Sequence, residues 1–255
     1  MPKLFCVSDI HGFYDELQAA LDAAGFDKQN PDHWLISCGD NLDRGSQPRQ
    51  VINFLNGLER KVLIRGNHED LLEKCIEREY PLTHDEHNGT RDTVYDLAGV
   101  QHSLRNFMGA AIQIAPEVLR FTSQMVNYFE TQHYVFVHGW VPLRVSDQYP
   151  AWYQREREYE RDTTWRDAHA SGWEAASWRN GIECALNGLT IEKTVVCGHW
   201  HCSYGHHIVD GTPEFGDGAN FNPFYADGII AIDACTAASH KVNVVVLEDE
   251  FLNPD

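Results

Sequence analysis

The chain has 255 residues with 38 acidic against 20 basic side chains, a formal charge of −18, so it lacks the broad basic face that general nucleic-acid binding requires. Its 43% hydrophobic and 23% charged fractions are those of a globular protein and exclude a disordered or fibrous chain. No apolar run reaches the roughly 18 residues that cross a bilayer, and the N-terminus reads as neither signal peptide nor membrane span.

Short apolar runs recur at Leu4 to Val7, Trp34 to Ser37, Lys61 to Ile64, Tyr134 to Val137, Thr194 to Cys197, Ile229 to Ile232 and Val242 to Leu247. Each reads as a buried strand. Helices are legible between them. Leu17, Ala20, Leu21 and Ala24 follow helical spacing with Gly25 at the expected left-handed C-cap. Val51, Phe54, Leu55 and Leu58 repeat the pattern behind a Ser46 cap, with Pro48 tolerated in the first turn. The alternation predicts an α/β layered fold, and the closely spaced last two runs predict an antiparallel hairpin or sheet edge. Without an internal repeat or low-complexity linker, a single domain is expected over 1–255, interrupted by helical inserts at about 69–126 and 141–189. Residues 205–228, rich in Gly, Pro and Asn, read as a surface loop near a site. Seven scattered cysteines with no Cys-x-x-Cys pair indicate free thiols and a reducing, cytoplasmic setting.

The polar residues that end the strands carry the chemistry. The first is followed by Ser8-Asp-Ile-His-Gly12, the second by Gly39-Asp-Asn-Leu-Asp-Arg-Gly45, and the third by Arg65-Gly-Asn-His-Glu69. The fourth delivers His138-Gly139 and the fifth Gly198-His-Trp-His201. Sites in α/β proteins lie beyond the carboxyl ends of strands, so these groups converge. Carboxylates and imidazoles packed together repel one another and lose solvation, and bound cations relieve both penalties. Two metals suit the inventory, with Asp40 bridging, Asp9, His11 and His201 completing one site, and Asn67, His138 and His199 the other. This mixture of ligands favours Mn, Fe, Zn or Co over Mg or Ca. Paired cations depress the pKa of a shared water and clamp a phosphoryl group. His68 is then positioned to protonate the departing oxygen, Asp43 to orient that imidazole, and Arg44 to grip phosphate.

These motifs resemble those of the calcineurin-like metallophosphoesterases, and the second and third resemble in particular the phosphoprotein phosphatase branch with its bacterial members. The resemblance spans roughly Phe5 to His201, with Ile232-Asp233 similar beyond it. It implies a two-sheet β sandwich flanked by helices, two metals at the carboxyl ends of the strands, and hydrolysis without a covalent intermediate. It also implies ligand roles for Asp9, His11, Asp40, Asn67, His138 and His199, and an acid role for His68 assisted by Asp43. Two departures stand out: Trp140 replaces a second Gly after His138-Gly139, and the second histidine of the last motif, His201, resembles the wider superfamily. Arg179 and Arg166 are candidates for a second phosphate-binding arginine.

His206 and His207 read as structural. Trp140, Trp152, Trp165, Trp173 and Trp178, interleaved with Arg155, Arg157, Arg161, Arg166 and Arg179, read as packing on the sheet, with Glu156, Glu158 and Glu160 making a solvated face; the rival reading is a substrate cover. The expected activity is that of a serine/threonine protein phosphatase-type phosphomonoesterase, its partner a phosphorylated substrate, whether phosphoprotein or nucleotide. The alternative is hydrolysis of dinucleoside polyphosphates of the diadenosine tetraphosphate type. A non-catalytic metal-binding scaffold is disfavoured by the retention of His68, Asp43 and Arg44.

Overall fold

A computed structural model describes residues 1–145 and 159–252, so Trp152, Arg155, Glu156, Arg157 and Glu158 lie outside the described residues. The first half runs β1 (Lys3–Val7), α1 (Tyr14–Ala24), β2 (His33–Ser37), α2 (Pro48–Asn56), β3 (Lys61–Leu63), α3 (Asn67–Arg78), α4 (Thr83–His87), α5 (Thr90–Ala98) and α6 (Leu104–Thr122). The second runs β4 (Phe129–Glu130), β5 (Tyr134–Phe136), β6 (Leu143–Val145), β7 (Tyr159–Arg161), α7 (Ala170–Ser177), α8 (Gly181–Leu186), β8 (Thr194–Cys197), α9 (Cys202–Asp210), β9 (Phe224–Ala226), β10 (Ile229–Ala231), α10 (Thr236–Ser239) and β11 (Val245–Glu248). One sheet has the order β11-β1-β2-β3 and the other β4-β5-β8-β10-β9. A small third ladder joins β6 to β7.

Side-chain alternation explains why the strands read as unbroken apolar runs: each sheet is covered on both faces. Leu4, Cys6, Ile36, Phe136, Val196 and Ile230 meet between the sheets. Phe5, Val7 and Leu35 face outward onto Leu17, Leu21, Val51 and Leu55 of α1 and α2. Val135, Val195 and Ile229 face the other way onto Trp140, Trp165 and Ile182. The result is the expected two-sheet sandwich flanked by helices. Each fully buried aliphatic or Phe side chain contributes about 1.5–3 kcal/mol, so the alternation fixes strand register.

Local expectations fare unevenly. Gly25 does end α1 in the left-handed conformation, at φ +78°. Ser46 does not cap α2: the N-cap is Gln47, without a side-chain cap bond, and Pro48 begins the helix. Of the two alternatives for the last two apolar runs, the hairpin does not form and the sheet edge does. Strand β10 runs parallel to β8 and antiparallel to β9, whereas β11 closes the edge of the first sheet against β1. The true hairpin partner, β9, lies inside the segment expected to be a loop, which also holds most of α9. Among the described residues no helix is long and apolar enough to cross a membrane.

Candidate active site

Strands β1, β2 and β3 of one sheet and β5, β8 and β10 of the other all end at the same rim. The loops beyond them are stitched together by backbone bonds: Asp9 N–H to Gly39 O (3.0 Å), His11 N–H to Asp40 O (3.0 Å), Gly198 N–H to His138 O (2.8 Å) and Cys202 N–H to Asp233 O (2.8 Å). Two glycines permit the approach. A Cβ at Gly198 would overlap the side chains of Ser8 and Asp9, and one at Gly66 would overlap the Asp40 carboxylate.

Two trios of possible metal-holding atoms result, His11 with Asp40 and His68, and Asp40 with His138 and His199, each within 4.8 Å of one another. They share Asp40. Asp9 joins the first, its Oδ1 lying 3.8 Å from His11 Nε2. Asn67 joins the second, its Oδ1 accepting from His138 Nε2 at 2.8 Å. Carbonyls fix the ring orientations: His11 Nδ1 donates to Leu42 O (3.0 Å) and His138 Nδ1 to Cys38 O (2.8 Å), so each Nε2 faces inward.

The charge balance of this cluster shows that the donors fit cations. Burial pushes the Asp9 carboxyl up. Burial also opposes a proton on His138, yet Asp40 and Asp9 overcome it and push the imidazole up to about 10. Those imidazoles in turn hold Asp40 well below the carboxylate range in spite of its burial. His11 and His199 are driven the other way by burial, His199 to about 3, and stay neutral with a lone pair to offer. A bound divalent cation would take the place of such protons.

His68 is mounted at the start of α3, directly after Asn67. Its Nδ1 lies 2.9 Å from Asp43 Oδ2, its Nε2 3.9 Å from Asp40 Oδ2 and 3.2 Å from Nη2 of the exposed Arg44. Burial alone would lower its pKa; Asp40 and Asp43 outweigh that and raise it. Asp43 and Arg44 are not a plain ion pair, since each addresses a different nitrogen of the same imidazole. Asp43 Oδ2 also accepts from the hydroxyl of buried Thr90 at 2.6 Å.

Three expected site residues are not brought to the cluster. His201, the N-cap of α9, has Nδ1 2.8 Å from Ser203 Oγ and Nε2 3.4 Å from Glu214 Oε1. The chain turns into the helix there and carries the ring onto Phe215, 4.8 Å away. Arg179 stacks over Tyr159 at 3.9 Å. Arg166 is bound by Glu130 (2.6 Å) and Glu192 (2.7 Å). Trp140, Trp165 and Trp173 are buried packing residues as expected, and His206 and His207 of α9 bond the Asp210 carboxylate and the Thr212 carbonyl just beyond the helix. Trp178 differs: it is half exposed and its ring lies 5.9 Å from that of His199. Beside His138 a cleft of about 450 Å³ opens between α3 and α7, lined by Arg65, Lys74, Trp140, His169 and Trp173.

Glu69, in the third motif, has a task that the motif alone does not assign. Its buried carboxylate accepts from Asp40 N–H (3.0 Å), Asn41 N–H (2.8 Å), Asn41 Nδ2 (3.2 Å) and Gly66 N–H (2.9 Å). The signal was available, because Glu69 is the N3 residue of α3 in a capping box with Gly66. Thr90 carried no signal, since only the fold places α5 against Asp43.

The fold and the donor set define a metal-dependent phosphoester hydrolase. The family model of the calcineurin-like phosphoesterases matches residues 2–203, and the chain belongs to that family, whose members typically bind two metal ions. A symmetrical bis(5'-nucleosyl)-tetraphosphatase of Nitrosococcus oceani is 39% identical over 67 residues, 26% of this chain and 23% of that protein. The match therefore spans about a quarter of its length. Among solved structures, a protein assigned as a diadenosine tetraphosphatase superposes with TM-score 0.54 at 15% identity, covering 100% of this chain and 97% of the other. A cold-active protein tyrosine phosphatase gives 0.52 at 16% identity, covering 97% and 74%. At such identities the likeness is one of fold.

Proposed function

We propose that the chain hydrolyses phosphomonoesters with poor leaving groups, those of phosphoserine and phosphothreonine side chains. The observation that carries this reading is His68 oriented through Nδ1 by Asp43 at the edge of the Asp40 cluster. An alkoxide departs only when protonated, so an oriented imidazole whose pKa neighbouring carboxylates raise has a purpose there. A nucleotide leaves readily without one.

In this reading Asp9, His11 and Asp40 hold one cation, and Asp40, Asn67, His138 and His199 a second, of the Mn, Fe, Zn or Co kind that imidazole and carboxylate ligands favour. When bound, the pair supplies a water of lowered pKa and charge to offset the phosphoryl oxygens. Arg44, exposed beside His68, engages phosphate with its planar fork, assisted by the Asn67 amide. With the Arg44 guanidinium turned from His68 Nε2 to phosphate, Nε2 is free to carry the proton it delivers to the departing oxygen, while Asp43, on Nδ1, stabilises the imidazolium.

A second reading, hydrolysis of dinucleoside polyphosphates, is favoured by the curated relatives' names, although a 67-residue match is too short to include both inserts that frame the cleft. Side-by-side assay on protein of measured metal content separates the two. Turnover of a phosphoserine peptide above that of diadenosine tetraphosphate supports the first; inert phosphopeptide with released nucleotide overturns it. No turnover of either, or of an aryl phosphate, leaves the scaffold.

A further inference from the structure

The first insert is built into the proton-donating apparatus. We propose that Thr90, the first residue of α5, is a positioning residue for His68, acting through Asp43; this rests on the acid role proposed above for His68.

Both donors that reach Asp43 converge on one oxygen. Oδ2 accepts from His68 Nδ1 at 2.9 Å and from Thr90 Oγ1 at 2.6 Å, while Oδ1 is buried without a hydrogen-bond partner. With Oδ1 unheld, Thr90 is, among the described residues, the one partner outside the pair that fixes the rotation of the carboxylate about its own bond. Thr90 is itself completely buried, is β-branched and so stiff in χ1, and sits at a helix start where the chain is anchored.

That anchoring is intimate. Gly89, the N-cap of α5, has φ +79°, and a Cβ there would overlap the backbone of Arg44. Asp43 and Arg44 are themselves consecutive left-handed residues, at φ +71° and +62°, a strained turn that persists only when its surroundings hold it. The start of α5 presses on this turn from one side while Thr90 holds its carboxylate from the other. The insert thus sets the direction in which His68 Nε2 points, and with it the efficiency of proton delivery to the leaving group.

The test is Thr90→Val, nearly isosteric and lacking the hydroxyl, with Thr90→Ser and His68→Ala alongside, all on the full chain at matched metal content. Positioning predicts a loss that depends on the leaving group. With a phosphoserine peptide Thr90→Val lowers kcat about tenfold, a part of the 10²- to 10⁴-fold that a general acid supplies, while KM stays within about twofold. With an aryl phosphate of good leaving group kcat is unchanged, and Thr90→Ser restores the wild-type ratio of the two rates. In zinc-loaded protein, the downfield proton resonance of His68 Nδ1–H moves or broadens in Thr90→Val and returns in Thr90→Ser. Equal losses on both substrates with a lowered melting temperature would make Thr90 a structural residue only and overturn the proposal. So would unchanged rates and resonance. If His68→Ala is steeply sensitive to the leaving group and Thr90→Val is not, Thr90 fails alone; if His68→Ala is itself insensitive, the acid assignment fails with it.

Discussion

Glu69→Gln perturbs the site with the least change of shape. The native carboxylate satisfies four buried donors, from Asp40, Asn41 (two) and Gly66. A carboxamide keeps one acceptor oxygen, which serves two of them, and turns an NH₂ toward the others. Two buried N–H groups are left unsatisfied at about 1–3 kcal/mol each. One gain partly offsets this: Glu69 is pushed up by burial and by repulsion from Asp40, and the amide relieves both. A net loss of about 2–3 kcal/mol follows, a fall in Tm of about 5–10 °C for a chain of this size. Because the lost bonds hold the backbone of Asp40 and the residue before Asn67, metal affinity falls as well, by about 10- to 100-fold as for other residues that orient ligands. Thermal melts with and without metal, and metal titration by calorimetry, read both effects. A Glu69→Gln protein that melts with wild type and binds metal equally tightly would refute the claim that these four bonds hold the ligand loops.

Asp40→Ala removes the carboxylate shared by both trios and should abolish metal retention on gel filtration, whereas His68→Ala should keep its metal and lose about 10²- to 10⁴-fold in turnover of a phosphoserine peptide. His201→Ala should keep the wild-type metal content by elemental analysis, since both ring nitrogens face Ser203 and Glu214; loss of one equivalent would return His201 to the ligand set. Glu130, bound to Arg166 and Lys193, resists the upward push of burial and has its pKa lowered by those two partners. Its contribution is therefore present above the ordinary Glu pKa of about 4.3 and disappears as pH falls through the lower folded value. Glu130→Gln should cost about 1–3 kcal/mol at pH 7 and nothing once both proteins carry a neutral side chain; parallel stability curves down to low pH would contradict this.

Legibility followed the distance over which each feature is determined. The gathering of Asp9, His11, Asp40, Asn67, His138 and His199 at one rim was readable because each stands within a few residues of an apolar run, and a strand end fixes where its next residues go. The roles of the inserts were not. Thr90 lies 47 residues from Asp43, and only the packing of α5 on the Asp43 turn joins them. His201 was assigned to the first cation from the likeness of the last motif to the wider superfamily, yet it is the residue at which the loop becomes α9. The final strands were half legible: nearness in sequence offered a hairpin or a sheet edge, and the sandwich sends β10 and β11 to different sheets with β11 at an antiparallel edge.

Backbone strain at the rim gives the last expectation. Six of the nine non-glycine residues with positive φ among those described are Asp9, His11, Asp40, Asp43, Arg44 and His199, each conformation costing of order 1 kcal/mol or more. Such strain needs a restraint, which cations or the protein itself can provide. Most of these residues are tied by bonds that involve no metal. Asp9 O accepts from Thr236 Oγ1 at 2.7 Å, His11 O from Gly45 N–H at 2.7 Å, Asp40 N–H donates to Glu69, and His199 N–H donates to Asp9 Oδ2 at 2.9 Å. Charge is partly offset too, since Asp40 and Asp9 push the His138 imidazole up to about 10 and its Nε2 lies 3.3 Å from Asp40 Oδ1. Chelation should therefore abolish turnover while leaving the far-UV circular dichroism and cooperative melting intact, with Tm falling only by what binding linkage removes. A chelated chain that melts without cooperativity would mean that the cations, and not these ties, keep the loops in their strained form.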